Sequence, residues 1–389
     1  GKEILCHFKK FLNMNSNPTD NELVEAIKQD NVKKVEKLLD IEDINKEDED
    51  FKRPIDFALE YSSIKVMKYL IENNAILEDT IQGDNIISYL IKKDASLEML
   101  EYMHSINSSD STVNGKVLIE LALNNTNSFD TFKFIFENFG VEREEGKRYL
   151  IHDIVDSKKF DLNLKVKLLK LLIEEYDFDI NHSQNELPAS SRVFNKRDMK
   201  FLKELIKLGV CINSIAKQLP NFLEQKEIKE LSPYVLKNKL NKPEYILGLL
   251  DFDSFKEYIE LLEDVKNKEL LTNISKSMML HDKEKVKLAQ LALQRGVNIN
   301  ELNNDGHSVN ALYTYTAYFS VQSNTTFIDF LLENGAQIEC NGYSAFFNVV
   351  NDNDIKCTKY LITKGANVNF VNYFDNTVMN FIIHPKANF

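Results

Sequence analysis

The feature that most constrains the fold of this chain is a pair of glycines, each of which follows an apolar segment with helical spacing. Gly335 follows F-I-D-F-L-L-E-N, Gly365 follows K-C-T-K-Y-L-I-T-K, and the two glycines stand 30 residues apart (335 to 365). Glycine suits the left-handed residue that commonly ends a helix, because it has no Cβ to clash. A recurrence at this distance indicates a stack of similar helical repeats rather than one ordinary core.

The same repeat occurs elsewhere in the chain. Gly209 and Gly296 follow two further apolar segments, and Asn74 takes the glycine position after V-M-K-Y-L-I-E-N. Asparagine tolerates the left-handed conformation better than most residues, so we expect a positive φ at these positions too. Weaker copies of the repeat end at Asn45, Asn107, Glu142 and Asn181.

On these residues the chain resembles the ankyrin-repeat family. That family's repeat has about 33 residues, a turn and two antiparallel helices, and a T-P-L-H-x-A motif opens its first helix. Here R-P-I-D-F-A at 53–58 keeps the Pro and the Ala, and His152 takes the His position, where the family uses it to hold the turn. The resemblance implies an all-α ankyrin-repeat solenoid of about 10 to 12 helix–turn–helix repeats. It also implies short projecting loops between successive repeats, here called fingers.

The pattern predicts four parts. Residues 1–20 are expected to form an N-terminal capping helix and a linker, 21–213 the N-terminal ankyrin-type repeats, and 267–389 the C-terminal repeats, which end partway through a repeat. Residues 214–266 contain no clean repeat, and we predict two degenerate helical repeats there. A domain boundary at which the stack bends is the alternative.

Three details are predicted at the level of single helices. T-D-N-E at 19–22 matches a capping box and should start a helix at Leu23. The aromatic run Y-T-Y-T-A-Y-F at 313–319 is expected to be an insertion between the two helices of its repeat. The degenerate centre should be broken into short helical pieces by its prolines, because proline removes a backbone donor: Pro220, Pro233 and Pro243.

Composition restricts the class of function. The 389 residues include 60 Asp and Glu against 48 Lys and Arg, a formal net charge of -12. This balance disfavours nucleic-acid binding, which needs a basic face, and favours a protein partner with a basic surface. No apolar run reaches the roughly 18 residues of a membrane span, so no membrane partner is expected. The four cysteines lack C-x-x-C spacing, which predicts neither a disulfide framework nor a zinc site and favours a cytoplasmic setting.

No pattern of catalytic residues is present in the sequence. The seven histidines are scattered over different repeats without H-E-x-x-H spacing. The sequence also lacks a phosphate-binding glycine loop, a dinucleotide motif and a G-x-S-x-G nucleophile motif. We therefore predict no enzyme activity and no catalytic, cofactor or metal site.

The predicted function is a non-catalytic scaffold, a monomer that binds another protein on a concave surface. Residue usage is skewed toward Lys, Asn, Ile, Phe and Tyr, whose codons are AT-rich, and this favours a host-directed effector of a pathogen or virus, acting in the host cytosol. The alternative is the substrate-recruiting arm of a larger enzyme or ubiquitin-ligase adaptor. It is suggested by a chain that begins with Gly and stops one helix into a repeat.

The predicted partner-binding residues lie on three C-terminal fingers. Tyr373 and Phe374 fall at the projecting tip of the last finger, outside the helical stripe that builds a core. Tyrosine is enriched among the residues that dominate binding energy at interfaces. The alternative is that a further repeat covers these two rings, which would make them packing residues. The full predicted set is Asn303, Asn304, Asp305, His307, Asn341, Tyr343, Asn372, Tyr373 and Phe374.

Overall fold

A computed structural model describes residues 18–40, 43–106, 113–141, 149–183, 186–303, 307–319 and 324–383. Within these ranges the chain is mostly helical, with two short hairpins, in agreement with the predicted all-α class. It divides between Asp179 and Ile180 into two compact units, the N-terminal unit and the C-terminal unit. Residues 1–17 of the predicted capping helix and linker, and the repeat ends at Asn107 and Glu142, lie outside the described residues.

Helices follow one another in pairs in the described part of the N-terminal unit. They are α1 Pro18–Lys28, α2 Val32–Leu38, α3 Pro54–Glu60, α4 Ile64–Glu72, α5 Ile86–Lys92, α6 Leu97–Ile106, α7 Gly115–Asn125, α8 Phe129–Phe139, α9 Leu150–Asp156 and α10 Leu162–Tyr176. Among the first helices of the pairs, α1 contacts α3 and α5 contacts α7. Among the second helices, α2 contacts α4, α6 contacts α8 and α8 contacts α10. A hairpin of β1 (Thr80–Ile81) and β2 (Asp84–Asn85) precedes α5.

The described part of the C-terminal unit begins and ends with similar pairs. Its helices are α11 Ala189–Asn195, α12 Met199–Lys207, α13 Gln225–Lys237, α14 Pro243–Ile246, α15 Phe252–Leu261, α16 Leu270–Lys276, α17 Asp282–Gln294, α18 Ala311–Tyr318, α19 Thr326–Glu333, α20 Ala345–Asn351, α21 Ile355–Thr363 and α22 Val378–Ile383. Two 3₁₀ turns span Leu219–Asn221 and Leu247–Leu249, and a second hairpin joins β3 (Glu339–Cys340) to β4 (Tyr343–Ser344).

In the centre of the chain, residues 214–266, the second helices of the repeats are present, whereas short turns stand in place of most first helices. The row of second helices runs through it without a break, from α12 to α13, α15, α17 and α19. The row of first helices is continuous only beyond it, from α16 to α18, α20 and α22. Before α16 that row is represented by the single-turn helix α14 and the 3₁₀ turn Leu247–Leu249, which contacts α16.

Left-handed residues end the second helices where the sequence predicts them. The φ angles are +67° at Asn74, +91° at Gly209 and Gly335, and +95° at Gly296 and Gly365. The backbone N–H of each of these five residues donates to the carbonyl of the residue three positions earlier. The backbone N–H of the residue that follows donates to the carbonyl five positions before it. Two otherwise unpaired helical carbonyls are thereby satisfied at every stop, and the predicted register is confirmed.

A single asparagine links each of several repeats to the next one. The side chain of Asn181 donates from Nδ2 to the carbonyl of Gly209 (3.1 Å) and accepts at Oδ1 from the N–H of Cys211 (2.6 Å). Asn45 makes the same pair of bonds with Asn74 and Ile76, and Asn300 makes it with Gly335 and Gln337. We call this contact the asparagine bridge. It gives a chemical reason for Asn at the ends of these repeats, since its amide side chain both donates and accepts.

Three local predictions are wrong. Helix α1 begins at Pro18, five residues before Leu23, because proline is well suited to the first helical position. Pro233 lies inside α13 and does not break it, because that helix buries Leu231 and Val235 on either side of the proline. The aromatic run at 313–319 is not an insertion between helices. It forms most of the first helix α18, in which Tyr315 is buried against Phe327.

Candidate partner-binding site

The second hairpin forms one finger of the C-terminal unit. Its strands pair Glu339 with Ser344 and Cys340 with Tyr343, so the loop between them has two residues. Asn341 (φ +48°) and Gly342 (φ +81°) are both left-handed, as in the type I′ turn that suits the right-handed twist of a hairpin. Asn-Gly is the preferred pair for that turn. The finger is therefore a tight hairpin whose turn matches the twist of its strands.

The last finger packs onto this hairpin. The N–H of Tyr373 donates to the carbonyl of Gly342 at 2.8 Å. Within the finger, Oδ1 of Asn372 accepts from the N–H groups of Phe374 and Asn376, both at 2.9 Å. Asp375 has a φ of +58°, which completes a tight turn. These bonds hold the backbone that carries Tyr373 and Phe374.

Four aromatic side chains lie side by side across successive fingers, and we call them the aromatic row: His307, Tyr343, Tyr373 and Phe374. His307 meets Tyr343 edge to face at 5.5 Å, and its Nδ1 lies 2.9 Å from the Tyr343 hydroxyl. Tyr343 stacks on Tyr373 at 6.3 Å with the rings 10° apart, and Phe374 stands edge-on to Tyr373 at 5.8 Å. Tyr373 is 73% exposed and Phe374 64% exposed.

A groove of about 550 Å³ lies beside the row. Aromatic and amide side chains line it, among them Tyr313, Tyr343, Phe347, Asn348, Asn351 and Phe374. Nδ2 of Asn348 donates to the carbonyl of Tyr313 (3.2 Å) and to the Thr316 hydroxyl (3.0 Å), which fixes the groove wall on α18. Burial raises the pKa of the Tyr313 phenol.

The structure brings most of the predicted binding residues together. His307, Tyr343, Tyr373 and Phe374 form the row, Asn372 shapes the turn beneath it, and Asn341 is exposed and donates to the Ser308 carbonyl (3.3 Å). Asn303 departs from the prediction. It is only 7% exposed, and its Oδ1 accepts from the N–H of Val309 (3.1 Å), so it closes its own loop. Asn304 and Asp305 lie outside the described residues.

Sequence reasoning missed the groove. Tyr313, Phe347, Asn348 and Asn351 face it from α18 and α20. Tyr313 lies in the run 313–319, which the sequence pattern predicts to be an insertion, and for that reason it was not assigned to the site. A comparison of α18 with α20 as aligned first helices would have placed the four side chains on one surface, because successive first helices pack against each other.

A second groove, of about 830 Å³, contains the buried amine of Lys285. Its Nζ donates to the carbonyl of Ser275 (2.9 Å) and lies 3.7 Å from the centre of the Phe319 ring. Burial lowers the pKa of this amine to about 8. Lys165 makes the equivalent bond to the Val155 carbonyl (3.1 Å) in the N-terminal unit. The recurrence identifies a structural contact in which a lysine on the second helix caps the end of the first.

Within the described ranges, no three His, Cys, Asp or Glu side chains are grouped closely enough to hold a metal ion. The same part of the chain contains no helix that is both long and apolar enough to cross a bilayer.

Comparison with known proteins adds no relative. No protein-family model matches the chain, and a search of curated proteins found no significant match. The ankyrin resemblance therefore remains a prediction that depends on the residues themselves.

Proposed function

We propose that the chain is a non-catalytic scaffold of the ankyrin-repeat type that binds a protein partner on its C-terminal fingers. The observation that carries the proposal is the aromatic row. Its two most exposed rings, Tyr373 and Phe374, stand on a finger whose backbone is held by hydrogen bonds. Large aromatic side chains presented on a rigid support resemble the anchors of protein interfaces, because they bury much area at little cost in conformational entropy.

The groove beside the row suits an extended peptide segment. Asn351 and the aromatic side chains line it, and amides can bond to main-chain donors and acceptors of a bound segment. A groove with both apolar and polar walls is the usual form of a recognition site. In the proposed binding mode, the aromatic rings therefore contribute most of the binding free energy, and the amides fix the orientation of the bound segment.

The test begins with the full chain as bait and with partners identified by mass spectrometry. The affinity of a purified partner is then measured for the wild-type chain and for the double variant Tyr373→Ser with Phe374→Ser. Serine keeps the backbone N–H that bonds to Gly342, so helicity and Tm should change little. We expect the affinity to fall at least tenfold, which is about 1.4 kcal/mol.

Phe51 offers a matched control because it is 80% exposed and lies in the N-terminal unit. Phe51→Ser should leave the affinity unchanged. If the double variant binds as tightly as the wild type, or if it unfolds, the row is a packing feature and the proposal is wrong. The adaptor alternative predicts a binding surface of the same kind, so the identity of the partner separates a ligase substrate from an effector target.

A further inference from the structure

Basic residues are unevenly distributed along the C-terminal unit, and the net charge of the whole chain does not show this. Three segments make up its later first helices and the fingers around them: 301–318, 337–351 and 366–383. These segments contain no Lys or Arg, and their ionisable acidic residues are Glu301, Asp305, Glu339 and Asp375. The lysines of the last pair lie instead on the second helix α21 and its end, at Lys356, Lys359 and Lys364.

The chain covers many of its other aromatic rings with its own cations. Lys28 lies over Tyr61 (5.6 Å), Lys68 over Tyr102 (5.4 Å), and Arg197 over Phe222 (4.2 Å). On α21, Lys364 lies over Tyr360 in the same manner (5.3 Å). An aromatic face attracts a cation because its π electrons are negative there. Among the exposed rings, Tyr61, Phe222 and Tyr245 have a cation of the chain over them.

The aromatic row lacks such a contact in the described ranges, as do the exposed rings of Phe51, Tyr234 and Tyr318. No cation of the chain lies over Tyr343, Tyr373 or Phe374 in the described ranges, and the surrounding segments contain none to supply. The row also carries a carboxylate, since Asp375 follows Phe374 in the same turn and is exposed. Exposed ring faces beside a carboxylate attract positive charge, and the surrounding segments provide no Lys or Arg. This surface therefore favours a cation from a binding partner.

Resting on the proposed function, we propose that the aromatic row binds a cationic segment of the partner, with an Arg or Lys side chain against Tyr373 and Phe374 and its charge facing Asp375. The guanidinium plane of Arg suits this position best, because it stacks on aromatic faces and bonds to a carboxylate at the same time. The amides of the groove then bind the neighbouring main chain of the same segment.

The probe for this proposal is a phage-displayed library of random dodecapeptides, selected on the full chain. Clones that also bind the Tyr373→Ser, Phe374→Ser variant are removed, and the remaining clones are sequenced. We expect the peptides that depend on the row to be enriched in Arg or Lys at one position. A synthetic peptide of this set should bind at least tenfold more weakly when that Arg is replaced by citrulline, which keeps the shape and removes the charge.

Two variants separate a cation–π contact from simple hydrophobic contact. Tyr373→Leu with Phe374→Leu keeps apolar bulk but has no π face, so it should lose the cationic peptide as the serine variant does. Asp375→Asn should weaken binding about threefold to tenfold, and the loss should shrink at high salt because the carboxylate is exposed. Phe51→Ser should bind normally.

The outcomes distinguish the proposal from the proposed function. Peptides that depend on the row but lack basic enrichment, or that bind the leucine variant unchanged, overturn the cationic segment and leave the protein-binding function standing. If no selected peptide depends on the row, both are overturned. Binding of a dodecathymidine strand that is lost in the serine variant would instead show a nucleic-acid surface and overturn both.

Discussion

The backbone of Tyr373 lies directly against Gly342, at a position that favours glycine. The Tyr373 N–H bonds to the Gly342 carbonyl, and a Cβ on residue 342 would stand 3.3 Å from the Cβ of Tyr373. The same glycine has a φ of +81°, which side-chain-bearing residues rarely adopt. The two adjacent fingers are thus joined at a point where a side chain at residue 342 would be strained and closely packed.

Gly342→Ala should therefore destabilise the protein and weaken partner binding. Alanine at a positive φ costs about 1 kcal/mol, and the contact with Tyr373 adds to that cost. Urea unfolding followed by circular dichroism measures the loss. Gly248→Ala is the control, because no atom lies within 4 Å of an added Cβ there and the backbone is not left-handed. Equal stability of the two variants would show that the fingers are not joined in this way.

Valine at the helix stops should be destabilising by more than about 1 kcal/mol, since a β-branched residue does not adopt the left-handed conformation. The variants are Gly296→Val, Gly365→Val and Asn74→Val. Gly296→Asn serves as the matched control, because asparagine already occupies this conformation at position 74. Denaturant unfolding of all four tests the idea, which fails if Gly296→Asn and Gly296→Val have the same midpoint.

Removing an asparagine bridge should open the contact between two repeats. Asn181→Ala leaves the Cys211 N–H without its partner, a cost of about 1 to 3 kcal/mol, whereas the Gly209 carbonyl still accepts from Nδ2 of Asn238 (2.8 Å). Asn181→Asp should cost less, since a carboxylate still accepts from Cys211. Amide exchange at Cys211 reports the change locally. Asn334→Ala removes a bond within its own helix, to Phe330, and should have little effect. Exchange at Cys211 that is equally slow in Asn181→Ala would contradict the bridge.

Lys285 should make the free energy of unfolding depend on pH in the alkaline range. Its folded pKa is lowered from 10.5 to about 8, so between these values the unfolded chain holds a proton that the folded chain has released. The free energy of unfolding contributed by this group therefore rises with pH from about 8 to 10.5, by at most about 3 kcal/mol. Burial raises the pKa of the Cys357 thiol to about 12, which acts in the opposite direction above its ordinary value.

The measurement is therefore a difference between two proteins. The stability of the wild type minus that of Lys285→Met, followed by urea unfolding from pH 7 to 10.5, should increase with pH. Methionine keeps most of the side-chain length without the charge. A flat difference would show that the amine is charged in the folded state at the same pH as in the unfolded chain.

The sequence by itself determined where second helices stop, because a glycine or asparagine at a C-terminus is a local preference that needs no distant contact. It could not show that several first helices stop in the same way. Asp30, Ser62, Asp94 and Asn353 also have φ between +50° and +56°. Asp and Asn tolerate this conformation but are also common elsewhere on the surface, so residue type alone does not mark these stops. They are left-handed because the following helix reverses direction and packs beside the first.

Packing also overrode local preference within helices. Proline disfavours a helix interior by about 3 kcal/mol, yet Pro233 lies inside α13, where the burial of Ile228, Leu231 and Val235 compensates for the lost bond. The run at 313–319 has no clear helical stripe because both sides of α18 are covered. Tyr315 and Thr316 are buried on different faces of that helix. A pattern of alternating Tyr and Thr cannot reveal such two-sided burial.

For the candidate site, the sequence placed Tyr373 and Phe374 on a finger tip, because turn residues on either side mark the loop. Only the tertiary structure decided that Asn303 is buried, that Tyr343 stacks on Tyr373, and that Tyr313 faces the groove. Residues 343 and 373 are 30 positions apart, and their contact exists because successive repeats stack with their fingers side by side. Residue order specifies each finger, whereas the surface that the fingers share is a property of their stacking.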